Sequence, residues 1–247
     1  MPPKRAQNTI PAMKSDVLSK LNPDSGPAPP SAPANARSVL DRAVDRALAR
    51  QRAAYARDAA RLVQATLRLI RERGVLDPSV AAIVRAAGLS NQAFYSHFRT
   101  KHELLVAVLD EGIRLLATYL AQRMAAAATP AGQVEEWLRG VLEQALPPRG
   151  AAATRPFAVQ RGELAVHYPE EVARSERQLR EPLRRALEAA RDSGELPRVD
   201  PLRDGEALYH LALGWMEARL EEPDPARRED AERLVAFALA GLRGVAP

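Results

Sequence analysis

The 247-residue chain contains no cysteine. Disulfide frameworks, thiolate metal sites and cysteine nucleophiles are therefore excluded, and the composition suits a reducing compartment. No apolar run approaches the roughly 18 residues that a membrane helix needs. The N-terminus carries basic residues without the apolar core of a secretory signal. The expectation is a cytoplasmic protein without membrane contact. Aromatic residues are 4% of the chain, and lysine occurs only as Lys4, Lys14, Lys20 and Lys101. Strand-forming β-branched runs are scarce, whereas alanine, leucine, arginine and glutamate dominate, which predicts helices throughout. No glycine-rich phosphate loop, nucleophile elbow or HExxH helix is present. The sequence thus offers no catalytic residue, no cofactor site and no metal site, and the expectation is a protein that is not an enzyme.

What is present is unevenly placed. The formal net charge is +5. Residues 36–103 hold thirteen basic and six acidic residues, while residues 104–247 hold nineteen basic and twenty-three acidic ones. A basic end on a mildly acidic body suits contact with a polyanion. Residues 1–35 contain eight of the twenty prolines and little apolar periodicity, which predicts a disordered tail. Met13 is a second candidate start within it.

Helical periodicity begins near Ala36. Residues 36–54 read as a helical extension of unassigned role. Leu62, Val63, Thr66, Leu69 and Ile70 then make an apolar stripe that Gly74 would end. Next, Asp77 can cap a short helix with Pro78 at its first position and Gly88 as its left-handed stop. Ser90 can cap a second short helix over 91–98. This pair with a tight turn is a helix-turn-helix pattern. Thr100 and Glu103 form a capping box for a helix running to about Ala127. Further helices are expected at about 130–146, 156–167, 169–193, 201–221 and 226–244, separated by proline or glycine.

The stretch LSNQAFYSHFRTKHEL, residues 89–104, gathers three of the few aromatics, two histidines and Lys101. At about 100° per residue, Phe94 and Phe98 share one helical face, and they read as core. Asn91, Gln92, Tyr95 and Ser96 lie on the other. Asn and Gln can pair bidentately with adenine. Ser90, Ser96 and the Tyr95 hydroxyl can donate to phosphate, and helix N-termini near Ser79 and Lys101 favour it too. His97 and His102 do not share a helical face, so a metal site there is disfavoured.

Residues 58–105 resemble the DNA-binding domain of the tetracycline-repressor (TetR) family of bacterial transcriptional regulators. The resemblance is carried by LVQATLRLIRERG and SVAAIVRAAGLSNQAFYSHFRTKHELL. It departs from the family pattern at Pro78, where threonine is common, and at Asn91 and Gln92, which replace a frequent Lys-Gly pair. The resemblance implies DNA contacts at Ser79, Ser90, Asn91, Gln92, Tyr95, Ser96, His97 and Lys101. It also implies an all-α fold: a three-helix DNA-binding domain over 36–103, then a helical effector-binding and dimerisation domain over 104–247. Trp137, Phe157, Arg161, His167, Tyr168, Tyr209 and Met216 are the candidate walls of a small-molecule pocket. Leu208, Leu211, Ala212 and Trp215, with Leu234, Val235, Ala238, Leu239 and Leu242, would pack within one subunit or build a four-helix interface across a two-fold axis. The expected function is that of a homodimeric, effector-responsive repressor on a near-palindromic operator. The alternative is a regulator of the same fold without a small ligand, controlled by a protein partner.

Overall fold

The computed structural model describes residues 38–73, 78–147, 149–222, 224 and 226–244, and among these its regular elements are all helical. The expected tail over 1–35, the Gly74 stop and the Asp77 cap lie outside the described residues. The chain divides into two compact units, Met1–Ala47 and Leu48–Pro247. In the first, Ser38 Oγ accepts the Asp41 N–H at 3.0 Å and the Asp41 carboxylate accepts the Ser38 N–H at 3.1 Å. This reciprocal cap starts α1 (Val39–Arg73), a little later than Ala36, and the described residues up to Ala47 are exposed.

In the second unit, α1 buries Leu62, Ala65, Thr66, Leu67, Leu69 and Ile70. The Thr66 hydroxyl donates to the Leu62 carbonyl at 2.8 Å, so burying it leaves no orphan group. Helix α2 (Val80–Ala87) starts one step later than expected. Ser79, not Asp77, is its cap, and its Oγ accepts the Ala82 N–H. Pro78 therefore lies before the cap and not at the first helical position; it is buried. Gly88 closes α2 at φ 64°, where a side chain would be strained. Helix α3 (Asn91–His97) is capped by Ser90 and ends when Phe98 turns extended, one residue short of expectation. Phe94 and Phe98 are buried in the shared core, as their spacing implies.

Helix α4 (Lys101–Ala126) opens on the Thr100 cap. Glu103 completes the box, although its carboxylate takes the Arg99 N–H at 2.6 Å rather than that of Thr100. The body follows as α5 (Pro130–Leu142), a 3-10 turn (Glu143–Ala145), α6 (Arg149–His167), α7 (Pro169–Asp192), α8 (Arg203–Glu221) and α9 (Arg228–Arg243). Helix α6 begins before the expected residue 156, with Pro156 inside it. Helices α4, α5 and α7 form the middle of the body. Gly140 lets α5 approach α4 so closely that a β-carbon there would collide with Leu120. Trp137 of α5 is almost fully buried, and its indole N–H donates to the Leu179 carbonyl of α7 at 3.0 Å.

Candidate nucleic-acid interface and body cavity

The outer face of α3 presents Asn91, Gln92, Tyr95 and Ser96 to solvent, and Tyr95 is 60% exposed. Its ring meets Phe94 edge-on at 5.1 Å, which ties an exposed hydroxyl to a buried anchor. Ser79 and Ser90 are exposed as well. Each uses a lone pair for its cap, so each retains a hydroxyl proton for a phosphate oxygen. Ser96 differs: its hydroxyl donates to the Ala93 carbonyl at 2.7 Å, leaving only acceptor capacity outward. Lys101 is half-buried in the first turn of α4.

His97 turns toward α1. It is half-buried, its ring stands 3.9 Å from that of Tyr55, and its Nδ1 is buried with no hydrogen-bond partner among the described residues. The Tyr55 hydroxyl donates to the Ser96 carbonyl, one of the terminal carbonyls that α3 leaves unpaired. Tyr55 therefore props the C-terminal end of α3. It was not among the sequence candidates, though it lies seven residues before Leu62 on the same face of α1. Arg61 and Arg68 brace the other side, donating to the Gly88 and Ala86 carbonyls at the end of α2.

A cavity of about 390 Å³ lies in the body. Its walls come mainly from α4 (Leu109, Ile113, Leu116), α6 (Phe157, Arg161), α7 (Leu179) and α8 (Tyr209, Leu213, Met216), and Arg71 of α1 reaches it as well. Four sequence candidates, Phe157, Arg161, Tyr209 and Met216, thus line one space. Trp137 does not; it belongs to the core. His167 and Tyr168 sit at the joint with the helix-turn-helix. There the His167 ring stacks on His102 at 6.1 Å and the Tyr168 hydroxyl lies 3.4 Å from Thr100 Oγ1.

Sequence periodicity gave no sign of Glu176 and Glu217, which also line the cavity. Arg161 donates from Nε to Glu217 at 2.7 Å and from Nη1 to Glu176 at 2.7 Å. Burial pulls the Arg161 pKa down, but the bonds to Glu217 and Glu176 outweigh it, so the cation is held more firmly than usual. Burial pushes the Tyr209 hydroxyl well above its ordinary range, with the Glu176 charge adding to it. Among the described residues, no group of three or more His, Asp or Glu is placed to hold a metal, and no helix is long and apolar enough to cross a membrane.

Residues 62–108 match the model of the bacterial regulatory proteins of the tetR family. The HTH-type transcriptional regulator BetI of Rhizobium meliloti (strain 1021) is 35% identical over 78 residues. That match covers 32% of this chain and 38% of that protein, so it spans well under half the length of either. Among solved structures, a TetR-family regulator of Mesorhizobium loti MAFF303099 is similar with a TM-score of 0.59 at 17% identity, covering 77% of this chain and 96% of that one. AibR, solved with isovaleryl coenzyme A and operator DNA, is similar with a TM-score of 0.52 at 20% identity, covering 76% of this chain and 100% of that one. At these identities the structural likenesses establish the helical fold alone, whereas the match over 62–108 falls on α1 to α4, where the capped turn and the exposed face of α3 lie. Over residues 62–108 the chain is thus similar to the bacterial regulatory proteins of the tetR family, and its helical fold is similar to that of these solved structures.

Proposed function

We propose that this protein is an effector-responsive transcriptional repressor that binds a near-palindromic operator as a homodimer. Each subunit places the exposed face of α3 in a major groove. Asn91 and Gln92 read base edges. Ser79, Ser90, Tyr95 and Lys101 hold phosphates, with Ser96 and His97 beside them. The observation that carries the reading is α4. Its first residue, Lys101, stands next to α3, and its middle, at Leu109 and Ile113, walls the cavity. One continuous helix therefore joins the two places, about 18 Å apart at 1.5 Å per residue.

An effector that binds one position of α4 more tightly than the other shifts the spacing of the two recognition helices and so the operator affinity. The presence of the cavity favours a small effector over control by a protein partner alone. A two-fold interface is supported by the outward faces of α8 and α9. Phe237 is 57% exposed there, and Gly214 and Gly241 have open space around them. Leu208, Ala212, Val235, Ala238 and Leu239 pack within the subunit, so they are not that interface.

Gel-shift with the intergenic DNA beside the protein's own gene tests the reading, together with the mass of the protein in solution. A salt-sensitive shift by a dimer is expected. A monomer, or a dimer that shifts no such fragment, would overturn it.

A further inference from the structure

The cavity's chemistry narrows the class of effector, an inference that rests on the reading of the cavity as the effector site. Its charged groups balance one another. Arg161 bonds both Glu176 and Glu217, and Arg180 lies 3.9 Å from the second oxygen of Glu176. A ligand bringing a net charge would meet a paired partner and would have to break a half-buried bond to use it. Arg71 lines the space too, but it is exposed, so an anion paired with it would compete with water and gain little.

Tyr209 borders this network. It is only 2% exposed. Its ring is fixed between Trp137, at 6.5 Å, and the Arg180 guanidinium, at 5.1 Å. Among the described residues, nothing hydrogen-bonds its hydroxyl. Tyr209 belongs to the wall of a mostly apolar space, and a hydroxyl there without a partner gains by hydrogen-bonding a ligand. The volume allows roughly a dozen non-hydrogen atoms if each takes about a water's share of 30 Å³.

From the Arg161 ion pairs, the mostly apolar walls and the Tyr209 hydroxyl, we infer that the effector is an uncharged, largely apolar molecule of about that size. It carries one hydroxyl or carbonyl, which Tyr209 hydrogen-bonds.

Calorimetry on the intact dimer with four matched probes tests this: para-butylphenol, para-butyltoluene, para-butylbenzoate and para-butylbenzylamine. The phenol should bind most tightly. Tyr209→Phe should weaken the phenol by roughly fivefold to tenfold, leave the toluene unchanged, and not lower the melting temperature of the ligand-free protein. Tighter binding of the benzoate or the benzylamine overturns the inference. So does binding of none of the four, a phenol affinity that ignores Tyr209→Phe, or a ligand-free variant that melts earlier, since the hydroxyl would then have another partner. Operator gel-shift without any probe is run alongside. If it fails, the DNA-binding reading fails, whatever the probes do; if it succeeds while the probes fail, the effector class alone is wrong.

Discussion

Replacing Tyr55 with phenylalanine deletes one hydroxyl and leaves the ring against His97. The lost bond is the donation to the Ser96 carbonyl at the end of α3. The site is exposed, so water can replace the donor, and the expected cost is about 0.5–1.5 kcal/mol. If the bond acts mainly to orient α3 on DNA, operator affinity falls roughly twofold to tenfold. No phosphate contact is removed, so the slope of log affinity against log salt should not change. Lys101→Gln gives the contrasting signature: one counterion fewer is released per subunit, and the slope falls by about 0.9 for each subunit bound. Fluorescence anisotropy with a labelled operator, run between 50 and 200 mM salt on the scale where such slopes are resolved, separates the two. A Tyr55→Phe protein with a reduced slope would refute the positioning role and make Tyr55 a direct phosphate contact. One with unchanged affinity would show that α3 needs no such prop.

Three further outcomes are expected. Gln92→Ala should alter sequence preference, measured by selection from a randomised operator, while leaving the salt slope as it was. Gly140→Ala forces a β-carbon into Leu120 and should destabilise the body by about 1–3 kcal/mol, read from urea unfolding of the dimer at fixed concentration. Burial raises the Tyr209 pKa in the folded protein. The raised acid favours the fold fully below its unfolded pKa of about 10, and that advantage is lost as pH climbs above it. Tyr209→Phe should therefore lose less stability than the parent above about pH 10, as followed by circular dichroism. An identical alkaline decline in both would contradict the assigned burial.

The helix-turn-helix was legible because short-range chemistry decides it. Ser90 and Thr100 each cap a helix with their own hydroxyl, and Gly88 supplies the left-handed turn, all within a few residues of where they act. Errors arose where two rules competed within one turn. Pro78 suits a first helical position, but Ser79 could cap from the next residue and did. Pro156 looked like a helix start because proline is tolerated there, yet α6 accommodates it inside. Body residues were harder because their roles depend on partners far along the chain. The Trp137 N–H finds a carbonyl at Leu179, and Arg161 finds Glu217. No local period encodes either pair. The same holds for Tyr55, whose hydroxyl acts on Ser96.

The most direct test of DNA recognition by α3 is a footprint of the purified dimer on the intergenic region beside its own gene, with Tyr95→Ala, Lys101→Ala protein in parallel. Protection of two symmetric half-sites about one helical turn apart, or a multiple of it, is expected for the parent, and its loss for the double variant. A parent without a footprint, or a double variant that protects the same bases at the same concentration, would contradict it.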